Sequence, residues 1–370
     1  MSVRRCQALA EPAERAALRL KRHEASIALL DRVRPLNLAA EQARLLRGFE
    51  AGERPEPALT YAPSPALGDV RRELLELAKA LEAGDTEERL LAERALELEL
   101  EAALSESVGG ARFAELSARR FPLPDEPLEA RRRAQQFLTA PPTANPQDKA
   151  QILHASDDQQ DPESLWSEVS RLLSRERFAV RIEMAPGLVS LAGVADGVVR
   201  IRPGARLTAR VARRIALHEV EGHVGPRVRG PALGGAFLAG TARASEDEEG
   251  RAILLEERAG LLEPARLREL ARRYLAAESV RQGASFWDSV AVLGQTGASA
   301  AEAIELSCRV HRGGGLGREL IYLTGYCRVA LALGQRPELE RVQQSGRISL
   351  GAAAALLKGS VELDDDRNVV

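Results

Sequence analysis

Aromatic residues make up only 4% of this 370-residue chain, and methionine and cysteine are scarcer still, with two and three copies. A core must therefore be built from aliphatic side chains, and the 45% hydrophobic content is enough for one large or two smaller cores. Cys6, Cys308 and Cys327 are odd in number and form no CxxC pair, which argues against a disulfide framework and fits packed, reduced thiols. Charge of one sign is also missing. With 52 Lys+Arg against 54 Asp+Glu the net charge is −2, and no basic tract is interleaved with aromatics, so nucleic acid is not an expected partner. No run reaches the roughly 18 apolar residues of a membrane span, and the opening MSVRRCQALAEPAERAAL has no apolar core of a secretory signal. The expectation is a cytoplasmic protein without a membrane span, its oligomeric state unknown.

What the chain does have is helical periodicity. Ile27, Leu29, Leu30, Val33, Leu38, Ala40, Leu45 and Leu46 recur at helical spacing around a break at Pro35, which predicts two helices and a turn. A proline-containing extended piece follows from 53 to 68, then Leu/Ala/Glu/Arg-rich helices from Val70 to Val108 with a break near Gly84. The Pro/Asn/Asp/Gln-rich stretch after Leu138 divides the expected organisation into a helical region 1–140, a connection 141–163 and a catalytic domain 164–370. Strands are expected where Val180, Ile182 and Met184 alternate, and on both sides of the Asp196-Gly197 turn in LVSLAGVADGVVRI. The predicted class is α+β, mainly helical, with a small antiparallel sheet leading into a helix near Leu207.

Two of only five histidines fall in ALHEVEGHV, as His218-Glu219 followed by His223. In the familiar HExxH motif the imidazoles are four apart, point about 40° apart on a helix and share one zinc ion. Five apart makes the angle about 140° on a regular helix. The pair chelates only if the helix widens, as in a π-bulge, or ends before His223, and Gly222 stands where such a distortion costs little. A third ligand would come from the acidic segment SEDEEGRAILLE, 245–256. A helix there could set one carboxylate against the histidines; it is equally readable as an acidic helix start favoured by the macrodipole.

With those residues in view, the chain resembles the QEGLA-motif family that includes the microtubule-associated tyrosine carboxypeptidases. These also carry HExxxH, followed at similar separation by that motif. Glu248-Glu249-Gly250-Arg251-Ala252 lies on the motif. LLDRVRPLNLAAEQARLL and ALTYAP upstream, and RVHRGG and LIYLTG downstream, resemble further family segments in the same order. The resemblance implies a gluzincin-like catalytic core with one Zn²⁺ per chain on His218, His223 and Glu249, and Glu256 as an orienting partner on the same helix face. The chain departs from the motif in Glu248, which replaces Gln and is an alternative ligand, and in Arg251, which replaces Leu.

The chemistry expected is release of a C-terminal residue, an aromatic one among the candidates, from a peptide or protein. Glu219 would take the proton of the attacking water and return it to the departing amine. Arg312, Arg309 and Tyr322 are the candidates for substrate binding, since a guanidinium fork matches a terminal carboxylate. Two other readings remain: another zinc hydrolase or endopeptidase, and a non-catalytic binding or regulatory protein on a peptidase scaffold.

Overall fold

The computed structural model describes residues 12–141, 152–188, 190–195 and 197–367. Cys6, Asp196 and the 142–151 part of the expected connection lie outside the described residues. Two compact units divide the chain, residues 1–140 with 265–324 and residues 141–264 with 325–370. The units do not follow chain order. Residues 265–324, expected from the sequence to belong to the catalytic domain, cluster with the N-terminal region, because helices choose partners by apolar face and not by sequence distance.

The first unit opens with α1 (Pro12–Ile27), α2 (Leu29–Arg32), α3 (Leu38–Glu50), α4 (Gly68–Leu81), α5 (Thr86–Glu106), α6 (Phe113–Arg120) and α7 (Pro127–Leu138). The break at Pro35 separates α2 from α3. Beyond α3 the extended piece is held by Asn37, whose side chain accepts from Thr60 N (2.9 Å) and donates to Ala58 O (2.8 Å). At the start of α5 a reciprocal capping box between Asp85 and Glu88 satisfies amides that have no helical partner. Leu91, Ala95, Leu98 and Ala102 then form one fully buried stripe, against which α4 and α1 pack.

The second unit holds β1 (Leu153–Ala155), α8 (Leu165–Glu176), β2 (Arg181–Met184), β3 (Ala192–Ala195), β4 (Val198–Ile201) and β5 (Arg206–Thr208). Next come α9 (Ala209–Leu217), a π-helix (His218–Val224), α10 (Gly225–Leu233), α11 (Gly235–Ala239) and α12 (Ala244–Arg258). In the first unit α13 (Pro264–Arg281), α14 (Phe286–Gln295) and α15 (Ala300–His311) follow. Then α16 (Leu320–Gln335), within which the unit boundary falls, leads to α17 (Glu338–Ser345) and α18 (Leu350–Arg367).

The sheet corrects one expectation. β3 and β4 form the antiparallel hairpin, Val194 opposite Val199, but β2 lies on the other edge of β4 and runs parallel to it, Ile182 opposite Val199. Closeness in sequence dictates direction only for β3 and β4; β2 reaches β4 from the other side and is free to run either way. β1 and β5 form a separate antiparallel ladder. Leu165, Val169, Leu172 and Leu173 of α8, Val199 and Ile201 of β4, and Ala212, Ile215, Ala216, Val220 and Val224 make one buried cluster. This apolar core fixes the histidine-bearing segment beside the sheet. The amphipathic α8 is not among the elements expected from the sequence.

Candidate metal centre

Thr208 ends β5 and caps α9, its hydroxyl accepting from Val211 N (3.3 Å). The helix that starts there changes register at His218 and runs as a π-helix for seven residues. An i→i+5 ladder stacks residue i+5 over residue i, as an ordinary helix does with i+4. His223 therefore comes round to the face of His218, and the ring centroids lie 5.0 Å apart. The widening that the HExxxH spacing requires is present, and it contains Gly222.

Glu249, on α12, completes the group. Its Oε2 lies 3.3 Å from His218 Nε2 and 3.7 Å from His223 Nε2, and one ligand atom from each residue falls within 4.8 Å of the other two. Ligand atoms held tetrahedrally at about 2.0–2.2 Å from a zinc ion lie roughly 3.3–3.6 Å apart. All three side chains are buried. Three lone-pair donors thus converge at zinc-like separations, so the residues present fit the ion. The group is the one such cluster among the described residues.

Behind each histidine stands a carboxylate. Glu256, fully buried, accepts from His218 Nδ1 at 2.7 Å and pairs with Arg214 at 3.3 Å. That leaves Nε2 of His218 turned to Glu249, in the carboxylate–histidine arrangement that orients metal ligands. Glu248 lies 3.4 Å from His223 Nδ1 and is held by Arg227 and, at 3.7 Å, Arg347. It sits on the outer side of His223, away from the converging atoms. Glu219, next to His218 on the π-helix, is buried too.

Burial opposes protonation of both imidazoles, but the carboxylates outweigh it. Glu249 and Glu256 raise His218, and Glu248 and Glu249 push His223 up to about 10. Glu248 is held well below the usual carboxylate range, because Arg227 and His223 overcome the effect of burial. A metal ion entering here displaces protons from the histidines.

The small residues of the 248–252 segment have a steric reason. A Cβ on Gly222 would lie 2.6 Å from the Cβ of Ala252, and one on Gly250 would collide with the backbone of Gly325. The π-helix and α16 therefore press against α12 at almost backbone distance, which sets Glu249 against the histidines.

The remaining candidates gather in the first unit. Arg309 Nε donates to Glu319 at 2.6 Å, and Arg312 and Arg273 approach the same carboxylate at 3.8 and 3.6 Å. Tyr322 stacks under the Arg273 guanidinium at 4.5 Å, and its hydroxyl accepts from Arg318 at 2.6 Å. Burial and the neighbouring Arg309 push Arg312 down to about 10, and its buried Nε has no hydrogen-bond partner. Arg309 is by contrast held above its ordinary value by Glu319 despite burial. Glu319, the anchor of this cluster, carries no signal in the sequence. Arg214 and Arg227, which hold the orienting carboxylates, are equally unmarked among so many arginines.

The family model described as microtubule-associated tyrosine carboxypeptidase matches residues 47–359. No curated protein matches the chain. No helix among the described residues is long and apolar enough to cross a membrane.

Proposed function

This chain belongs to the microtubule-associated tyrosine carboxypeptidase family, and we propose that it is a zinc-dependent carboxypeptidase of the cytoplasm, with one Zn²⁺ per chain. The reading includes a gluzincin-like core and the ligand set His218, His223 and Glu249. The observation that carries it is the convergence of three buried ligand atoms, Glu249 Oε2 lying 3.3 and 3.7 Å from the two imidazole Nε2 atoms. Zinc, when bound, would polarise a substrate carbonyl and bring the pKa of a water down toward about 7.

The chain's own residues do the rest. Glu219 accepts the proton of the attacking water and passes it to the departing amine. Glu256 holds the His218 imidazole in the tautomer and orientation that present Nε2, and Glu248 faces Nδ1 of His223 from the other side. Arg312 is assigned to the substrate's terminal carboxylate, because a buried guanidinium with an unpartnered Nε suits a planar, charged acceptor. Arg309 is engaged with Glu319 and, with Tyr322, shapes the surroundings of Arg312. The substrate class is a peptide or protein with a free C-terminus, and the residue released, with aromatic ones as candidates, is what the assay must identify.

Metal analysis of the wild type and of Glu219→Gln, with mass spectrometry of peptides differing in their last residue, tests this. Zinc in both proteins, and a free amino acid released by the wild type alone at a rate about 10²–10⁴-fold above the variant, is expected. Internal fragments would make the enzyme an endopeptidase. A wild type that binds no zinc would remove the mechanism, and zinc bound without cleavage would favour a regulatory protein.

A further inference from the structure

Arg251, on α12, is among the most buried charges of the described residues, at 2% exposure. Leucine would suit such a site better than an arginine, whose burial works against its charge and lowers its pKa. What the guanidinium reaches is specific. Arg251 Nη2 donates to two backbone oxygens of the π-helix, Glu221 O at 3.1 Å and Gly222 O at 2.6 Å.

One of those two carbonyls lacks its helical donor. Gly225 N closes the π register onto Val220 O. The next residue is Pro226, which has no N–H. In a π register that donor would go five residues back, to Glu221 O; in an α register four back, to Gly222 O. Whichever register the chain follows, Pro226 removes a donor from one of the two oxygens that Arg251 reaches. A carbonyl left without a donor inside a protein is costly, and this pair lies in the turn that carries His223.

We propose that Arg251 is a positioning residue whose guanidinium replaces the amide Pro226 lacks and so holds the π-turn that aligns His223 with His218. The brace and the ligand Glu249 lie two residues apart on the same helix, so α12 both supplies a ligand and grips the backbone that presents another. Ala252, the next residue, is the one against which Gly222 packs. The three consecutive roles, of Gly250, Arg251 and Ala252, all serve close approach to neighbouring backbone. The consequence for zinc rests on the function proposed above, whereas the hold on the turn does not.

The test uses full-length protein in four forms: wild type, Arg251→Leu, Pro226→Ala and the double variant. Amide hydrogen exchange across 218–225 is read in chelator-treated protein, and zinc affinity by competition with a chromophoric chelator. Arg251→Leu is expected to speed exchange in 218–225 about tenfold or more while leaving 165–176 little changed, and to weaken zinc binding about 10–100-fold. Pro226→Ala, which restores an amide, is expected to have little effect alone and to recover most of both losses in the double variant. Unchanged exchange in Arg251→Leu would overturn the proposal. So would a double variant no better than the single, since Arg251 would then be an ordinary buried cation. If Arg251→Leu fails to fold, folding of the double variant supports the proposal and its failure overturns it. A wild type that binds no zinc, with the exchange pattern as expected, would remove the zinc reading and leave the role of Arg251 in the turn intact.

Discussion

The two buried clusters are near mirror images in chemistry. In the second unit acceptors converge: two imidazole nitrogens and a carboxylate oxygen meet at 3.3–3.7 Å, each histidine backed by a further carboxylate. In the first unit donors converge: Arg273, Arg309 and Arg312 lie within 4 Å of the single carboxylate of Glu319. Like groups gathered out of water repel or stay undersolvated unless an opposite charge joins them. Carboxylates surround the histidines in one cluster, and guanidinium groups surround a carboxylate in the other.

The strongest way to break this contrast is to remove Glu249. Glu249→Ala is expected to leave no zinc on the protein after dialysis, because the ligand set falls to two histidines. If it retains one zinc per chain and Glu248→Ala does not, the two carboxylates exchange roles. A smaller effect is expected from Glu256→Gln, which keeps the shape but removes the charge behind His218 and should weaken zinc binding about 10–100-fold. Unaltered affinity would reduce Glu256 to packing.

The anion side of the contrast is sharpened by Arg312→Gln. Zinc content should stay the same, while KM for peptides with a free C-terminus rises about tenfold or more, the scale of one charge-assisted hydrogen bond. C-terminally amidated peptides should show no such rise; an equal effect on both would detach Arg312 from the carboxylate. The smallest effect concerns His311 in the first unit, whose pKa burial lowers from 6.5 to about 4. Its folded pKa lies below its unfolded one, so the unfolded chain takes up the proton first and stability falls as pH drops from about 6.5 to 4. Replacing it with Gln should flatten thermal stability over that window, and a wild type with no slope there would contradict this.

Much of the site is legible in the amino-acid sequence, because its signals are local or rare. Five histidines in 370 residues make a pair in ALHEVEGHV conspicuous, and the five-residue spacing brings the two rings to one face only if the helix widens or ends before His223. The helices from about Leu18 to Arg47 and from Val70 to Val108 are readable from apolar periodicity, a break at Pro35 and one near Gly84, whereas α6 is not. The arginines are not readable individually. Arg227, Arg214 and Arg251 have the same composition and neighbours as many surface residues, and only their carboxylate and carbonyl partners single them out. Glu319 becomes important solely through arginines drawn from separate segments of the chain.

The amino-acid sequence by itself set the HExxxH spacing, from which it follows that His218 and His223 can share a face only if the helix widens or ends between them. It also set the antiparallel pairing of β3 with β4, two β-rich segments that lie close together in the chain. Tertiary structure alone decided that Glu249 faces the histidines while Glu248 stands behind His223, that β2 runs parallel to β4, and that residues 265–324 cluster with the N-terminal region. Those outcomes depend on contacts between residues far apart in the chain. Close approach at Gly222, Gly250 and Gly325 fixes the rotation of α12, and no local pattern in the sequence encodes it.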